Sequence, residues 1–362
     1  MTLMIAGGGT GGHIYPAIAV ARELIARDAT RRVVFVGTER GLEKTIVPKA
    51  GFPLEFIDVG GLKGKGGLDL LKNVFRLPKG FIQAWQLITK HRPDAVMGVG
   101  GYSSGPVLMI AAMRGIPTLI HEANAFPGLT NRLLAKFVKS VAVAYPDALT
   151  RMKRPDGVLT GNPIRKEFFD AAQHGPRTTG NGKQRLLIFG GSQGSRIIND
   201  AMSGALLFLA RLKDRLEIVH QTGPNELAKV QEAYRTSAFT GARVVPYLDP
   251  IVDEIAAADL VVCRAGAMTL GELAAVGRAS ILIPFAAATN NHQEVNARVV
   301  EQAGGAIVIT ENQLSPERLG LAINEIVNDP DRAARMGIAA KKLAVPDATQ
   351  KIVDLIEKIQ AK

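Results

Sequence analysis

Leu3-Met4-Ile5-Ala6-Gly7-Gly8-Gly9-Thr10-Gly11-Gly12-His13 and Leu186-Leu187-Ile188-Phe189-Gly190-Gly191-Ser192-Gln193-Gly194 share one grammar: a short apolar run that breaks directly into glycine. Each apolar run reads as a buried strand, and each glycine loop as a strand-to-helix turn whose backbone N–H groups can approach phosphate. Outward from the first loop, further apolar runs occur at 33–36, 54–57, 95–99, 118–120 and 141–143. Outward from the second they occur at 216–220, 243–245, 260–262, 280–283 and 306–309, again with helix-length segments between them. This alternation predicts parallel sheets with helices on both faces, and its repetition predicts two Rossmann-like domains in tandem. The boundary is expected near residue 163, where Gly161-Asn162-Pro163 ends one sheet, and residues 173–184 read as exposed loop.

Composition agrees with two cores. The chain has 362 residues, 47% of them hydrophobic, with mean hydropathy +0.11, which excludes a small module and global disorder. The formal net charge is +11, unevenly spread: residues 1–163 hold 21 Lys and Arg against 11 Asp and Glu, and residues 164–362 hold 23 against 22. An acidic partner for the first half is implied. The single cysteine, Cys263, allows no intramolecular disulfide and fits a reducing compartment. The segment from Met1 runs into glycines without the basic and apolar regions of a signal peptide. The best candidate span, 107–120, is cut by Arg114 and Pro117, so any membrane contact is expected to be peripheral. One stretch suits such contact: in residues 61–85, Lys63, Lys65, Lys72, Arg76 and Lys79 interleave with apolar residues that include Phe75, Phe81 and Trp85. It reads equally as a basic, apolar surface for an anionic leaflet or as an amphipathic helix packed on the sheet, with Pro78 expected to break any long helix there.

Gly7-x-Gly9-x-x-Gly12 matches the dinucleotide fingerprint in letters. An NAD site also needs an acid about 20 residues on, whereas the nearest candidate, Glu39, lies 27 residues beyond Gly12. His13, at the junction of loop and helix, has the side chain of a general base or of a capping residue. His121-Glu122-Ala123-Asn124 lacks the second histidine of a zinc motif, and Asp329-Pro330-Asp331 reads as helix capping with proline in the first turn. Glu272, about a turn and a half into the helix after 260–262, can accept two ribose hydroxyls or simply face the helix N-terminus. The amides among residues 290–296 can read sugar hydroxyls.

Six motifs occur in order: Gly8-Gly9-Thr10-Gly11-Gly12-His13, Gly100-Gly101-Tyr102, His121-Glu122-Ala123-Asn124, Gly161-Asn162-Pro163-Ile164-Arg165, Gly190-Gly191-Ser192-Gln193-Gly194 and Cys263-Arg264-Ala265-Gly266-Ala267-Met268-Thr269. With them essentially the whole chain resembles the MurG family of bacterial N-acetylglucosaminyltransferases. The resemblance implies an α/β GT-B glycosyltransferase fold, two doubly wound Rossmann-like domains facing across a cleft. Residues 1–163, completed by a C-terminal helix at about 346–362, would take the lipid-linked acceptor, lipid I, and associate with the membrane. Residues 164–345 would bind UDP-GlcNAc. It further implies inverting transfer of GlcNAc to the 4-hydroxyl of MurNAc, giving lipid II and UDP in peptidoglycan synthesis, at the cytoplasmic face of the inner membrane. His13 is then the first choice of base and Glu122 the reserve. The donor contacts implied are Thr10, Gly11, Gly12, Asn124 and Arg165, then Ser192 at phosphate, Leu248 at uracil, Ala267, Met268 and Thr269 beside the diphosphate, Glu272 at ribose and Gln293 at GlcNAc. No metal or cofactor is expected. Ala123 and Gly271 depart from the family's usual Gln and Ser, so any side-chain contact made there is lost.

Two other readings compete: another UDP-sugar enzyme of the same fold, such as an epimerase, and a non-catalytic sugar-nucleotide-binding subunit. Nucleic acid is discounted, since no reading motif accompanies the charge and aromatics are only 5%.

Overall fold

The structure, a computed structural model, describes residues 1–9, 11–60, 67–174 and 182–361, and only the backbone of residues 67–77, His174 and Thr289. Two compact units emerge. The first comprises Met1–Arg165 with Val345–Lys362, the second Lys166–Ala344.

In the first unit, strands β1 (Thr2–Ala6), β2 (Arg32–Gly37), β3 (Leu54–Phe56), β4 (Ala95–Gly98), β5 (Thr118–Glu122), β6 (Ser140–Val143) and β7 (Val158–Leu159) form one parallel sheet in the order β3-β2-β1-β4-β5-β6-β7. Helices α1 (Gly11–Arg27), α2 (Glu43–Lys49), α3 (Gly67–His91), α4 (Ser104–Met113), α5 (Leu129–Leu134) and α6 (Pro146–Met152) make the crossovers. Successive residues of β1 serve opposite faces: Leu3 and Ile5 join one core, Met4 and Ala6 the other. A strand buried on both faces reads as a continuous apolar run, which is why these strands are visible in the sequence. Helix α15 (Ala348–Gln360) returns from the far end of the chain and packs Ile352, Val353, Ile356 and Ile359 into the same core as α1. Arg27 ties it down through Asp354 at 2.6 Å and Glu357 at 3.0 Å.

The second unit repeats the plan. After α7 (Lys166–Ala171), strands β8 (Gln184–Phe189), β9 (Leu216–Gln221), β10 (Arg243–Val245), β11 (Leu260–Cys263), β12 (Ala279–Leu282) and β13 (Ala306–Val308) lie in the order β10-β9-β8-β11-β12-β13, all parallel. They are covered by α8 (Arg196–Leu209), α9 (Leu227–Arg235), α10 (Ile251–Ala257), α11 (Ala267–Val276), α12 (His292–Gln302), α13 (Pro316–Val327) and α14 (Pro330–Lys341). In both sheets the order reverses beside the first strand, between β1 and β4 and between β8 and β11. Loops leaving the carboxyl ends of strands at such a switch point form the ligand crevice of this fold class.

One sequence expectation is corrected. The backbone stays helical through Pro78 within α3. Pro78 is exposed, so the carbonyl that loses its partner can face water. The side chains of Lys63, Lys65, Lys72 and Arg76 lie outside the described residues, as do Thr10 and residues 175–181 of the expected loop. The capping expectation at Asp329 holds, since its carboxylate accepts the Arg332 N–H at 2.8 Å with Pro330 in the first turn of α14.

Candidate active site

At the switch point of the first unit, the loop after β1 and the loop after β4 touch through glycine. A Cβ on Gly101 (φ +85°) would fall 2.6 Å from the Gly8 carbonyl, and one on Gly100 (φ +93°) would fall 3.1 Å from His13 Nε2. Only glycine allows both the positive φ and this approach. His13, half-buried at the start of α1, has Nδ1 3.0 Å from the Gly8 carbonyl oxygen. A carbonyl can only accept, so Nδ1 carries the proton and the neutral ring keeps its lone pair on Nε2, above Gly100. That is the tautomer of a base presenting Nε2.

Behind the loop lies a carboxylate that the sequence reading passed over. Glu43 is 1% exposed. Its Oε2 accepts the Gly9 N–H at 2.8 Å, and its Oε1 accepts the Thr38 N–H at 2.9 Å and the Thr38 hydroxyl at 3.0 Å. Glu39, nearest to the dinucleotide position, is exposed instead. The available signal was the pair Gly37 and Gly41 around Glu43, where a Cβ would meet its side chain at 2.5 and 1.9 Å.

Glu122 ends β5, 3% exposed and fully engaged. Oε1 accepts the backbone and side-chain N–H groups of Asn124, both at 3.0 Å, and Oε2 accepts the Gly128 N–H at 3.0 Å and the Asn131 amide at 2.9 Å. Four donors occupy the roughly four lone-pair sites of a carboxylate, so Glu122 shapes the loop after β5. His121 is buried, which holds its pKa below the usual histidine value, and its ring nitrogen Nε2 lies 3.1 Å from the Gly161 carbonyl. Asn162 donates to the Ala123 carbonyl at 3.1 Å, and Arg165 lies over the Tyr15 ring at 5.0 Å. Gly11, Gly12, His13, Glu122, Asn124 and Arg165 thus gather around the carboxyl edge of one sheet.

In the second unit Ser192 is exposed on the loop between β8 and α8. That loop is pressed onto the one after β9: a Cβ on Gly194 would fall 1.9 Å from the Thr222 carbonyl, and one on Gly223 2.2 Å from the Gln193 carbonyl. A buried relay fixes both. Tyr234 lies 3.1 Å from His220 Nδ1, His220 Nε2 lies 3.1 Å from Asn199 Oδ1, and Asn199 Nδ2 donates to the Thr222 carbonyl at 2.9 Å. Burial drives His220 down to about 3, so the ring is neutral. With one proton on a neutral ring, Tyr234 donates to Nδ1 and Nε2–H donates to Asn199. Sequence reasoning missed this relay because its members are spread over three elements.

Ala267, Met268 and Thr269 open α11 after β11, the first two buried. Glu272 is half-buried in the next turn, and together with burial its charge pushes the Cys263 thiol up. Leu248, after β10, is 7% exposed. Gln293, at the start of α12, accepts the Phe285 N–H at 3.0 Å through Oε1. Arg264 Nη1 pairs with Glu311 at 2.6 Å and donates to the Ile283 carbonyl at 3.2 Å, bracing the loop after β12. Beside that loop lies a polar cavity of about 400 Å³, lined by residues including Asn291, Glu294, Arg298 and Gln313.

Residues 3–143 match the glycosyltransferase family 28 N-terminal domain and residues 185–352 its C-terminal domain. A relative from Myxococcus xanthus, a UDP-N-acetylglucosamine--N-acetylmuramyl-(pentapeptide) pyrophosphoryl-undecaprenol N-acetylglucosamine transferase, is 46% identical over 98% of this chain and 92% of its own. The crystal structure of Acinetobacter baumannii MurG is similar at TM-score 0.79 and 30% identity, covering 99% of each chain. A UDP-GlcNAc 2-epimerase from Neisseria meningitidis shares the fold at TM-score 0.69 but only 12% identity, over 99% of this chain and 100% of its own. By both domain matches and by its relatedness along nearly its whole length, the chain belongs to the MurG family, within glycosyltransferase family 28.

Proposed function

We propose that this chain transfers GlcNAc from UDP-GlcNAc to the 4-hydroxyl of MurNAc in lipid I, giving lipid II and UDP in peptidoglycan synthesis. The observation that carries this reading is the 46% identity along 98% of the chain to a transferase named for that reaction. An epimerase reading has only a likeness of fold at 12% identity behind it.

In the step proposed, the acceptor oxygen attacks the anomeric carbon from the face opposite UDP. The C–O bond to UDP breaks, and configuration inverts. An alcohol must lose its proton as it attacks, and His13 is the base we assign, because its Nε2 is bare while Nδ1 is committed to Gly8. Glu122 becomes a positioning residue, its oxygens being engaged by Asn124, Gly128 and Asn131. UDP leaves with developing negative charge, which the N-termini of α8 and α11, Ser192 and the Ala267-Met268-Thr269 turn are suited to receive, with Arg165 supplying a cation. Glu272 takes the ribose hydroxyls, Gln293 the sugar through its amide N–H, and Leu248 offers backbone to uracil. Thr10, Gly11, Gly12 and Asn124 are assigned beside sugar and diphosphate.

The membrane surface is assigned to α3 and its neighbours. Among the described residues no helix is long and apolar enough to cross a bilayer. On α3, Ile82 and Trp85 are 60% and 50% exposed, and Met113, at the end of the adjacent α4, is 72% exposed. Arg114 stacks on Trp85 at 4.9 Å, and Lys79 and Lys90, exposed on the same helix, pair with Asp58 at 2.9 Å and Glu55 at 2.7 Å. Exposed apolar side chains flanked by basic residues suit an anionic leaflet, and the soluble nucleotide-sugar donor of the proposed reaction supports assigning that leaflet to the cytoplasmic side.

The test is UDP release from UDP-GlcNAc, with and without a short-chain lipid I analogue, and mass analysis of the product. Acceptor-dependent release with addition of one N-acetylhexosamine is expected. Donor binding without transfer would favour the binding-subunit reading, and free epimerised sugar the epimerase.

A further inference from the structure

We infer that Glu43 sets the tautomer of His13 through the Gly8–Gly9 peptide group, and so is a positioning residue of the transfer reaction. The inference rests on the assignment of His13 as base. Its geometry is a series of three groups. Glu43 Oε2 accepts the N–H of Gly9 at 2.8 Å, and the carbonyl oxygen at the other end of that same peptide group, on Gly8, lies 3.0 Å from His13 Nδ1. A carboxylate on the N–H end polarises the peptide and strengthens its carbonyl as an acceptor, the cooperative effect of hydrogen bonds in chain. The carboxylate, one peptide away, then does what a directly bonded carboxylate does for a catalytic histidine. It holds the proton on Nδ1, leaves Nε2 bare and favours the imidazolium formed when Nε2 takes a proton.

Two further observations separate this from ordinary packing. Tying down the loop after β2 needs only the Thr38 N–H and hydroxyl, both of which bond Oε1; Oε2 is turned the other way, onto the glycine loop. The cradle is also made of backbone from two loops. A Cβ on Gly8, Gly37 or Gly41 would fall 2.3, 2.5 or 1.9 Å from Glu43 side-chain atoms. A buried ionised carboxylate costs free energy unless it is hydrogen-bonded, and here three donors offset that cost. The arrangement places the negative charge on the far side of the peptide from His13, where it can act on the ring without competing for Nε2.

In an unconstrained neutral histidine the proton favours Nε2, so the expected state of His13 is the reverse of the default and can be read directly. Long-range proton–nitrogen correlation on the full chain labelled with ¹⁵N-histidine reports the tautomer of each of the six histidines, His13 being assigned by its loss in His13→Ala. The wild-type protein is expected to show Nδ1 protonated and Nε2 bare. In Glu43→Gln the His13 proton should move toward Nε2, and kcat should fall about 10- to 100-fold, part of the 10²–10⁴-fold that a positioned base supplies. KM for UDP-GlcNAc should stay within about twofold on that same reading.

Three results would overturn the inference. One is a wild-type His13 already protonated on Nε2, which decides the matter even if the variant does not fold. The second is a folded Glu43→Gln with unchanged kcat. The third is lost activity with an unchanged tautomer, which is what a merely structural tie predicts. Full activity in His13→Ala would overturn the base assignment and with it the catalytic part of the inference. That failure is distinguishable because the tautomer spectrum does not depend on turnover.

Discussion

At the scale of single residues, two carboxylates separated by environment carry opposite expectations. Glu122 is saturated by four donors, whereas Glu272 stands half-buried in the first turns of α11. Replacing Glu272 by Ala is expected to weaken UDP-GlcNAc binding by about 1.5–3 kcal/mol, typical of hydrogen bonds to a charged group, with little change in the rate of bound substrate; calorimetry with UDP-GlcNAc checks it. His220 carries a pH prediction. Its folded value of about 3 lies below its ordinary 6.5 because burial opposes the charged ring. Between these values the unfolded chain binds one more proton than the folded one, so stability is lost as pH falls below about 6.5, by up to about 1.4 kcal/mol per pH unit from this group. Urea unfolding of the second unit from neutral to mildly acid pH should show that slope, and His220→Gln should flatten it. These residues also mark the limit of sequence reading. His13 was legible because it follows a glycine loop. Glu43 and the Tyr234–His220–Asn199 relay were not, because their partners come from separate strands and helices that only folding brings together.

Among elements, those buried on both faces were the easiest to foresee. The buried stretches 3–6 of β1, 95–98 of β4, 186–189 of β8 and 260–263 of β11 are unbroken by any polar side chain, and the glycines that follow β1 and β8 mark the switch points. β7 escaped notice because its two residues, Val158 and Leu159, form an exposed sheet edge, 38% and 51% accessible, with no burial to impose a pattern. α3 ran past its proline for a similar reason, since an exposed face tolerates an unpaired carbonyl. α15 is the element whose loss should matter most for stability. Its Ile356 is fully buried in the core shared with α1, so Ile356→Ala is expected to destabilise the first unit by about 2–5 kcal/mol. Thermal unfolding should show the first unit's transition moving to lower temperature while that of the second, Lys166–Ala344, stays in place.

For the whole molecule, charge follows architecture more sharply than the sequence boundary alone indicated. The first unit holds 25 Lys and Arg against 14 Asp and Glu, and the second 19 against 19, so the entire net charge of +11 belongs to the unit that carries α3. Raising ionic strength from about 0.1 to 1 M shortens the Debye length from about 10 to 3 Å. Binding to phosphatidylglycerol-containing vesicles, measured by sedimentation, should then fall by at least about tenfold, at roughly 1 kcal/mol per basic residue near the surface. UDP binding, which we assign to the neutral second unit, should change by less than about threefold over the same range, because that unit has no net charge for salt to screen.

The chain leaves the first unit at Arg165 and rejoins it at Val345, which has a consequence for biosynthesis. On the ribosome the order of manufacture and the order of completion are reversed. The second unit can close as soon as Ala344 is clear of the exit tunnel, while the half made first waits with the core that α15 shares with α1 incomplete until Ile352, Ile356 and Ile359 emerge. A nascent chain paused just short of that helix exposes an apolar surface on its oldest part. Chaperone capture is expected there, late in translation and on residues made early.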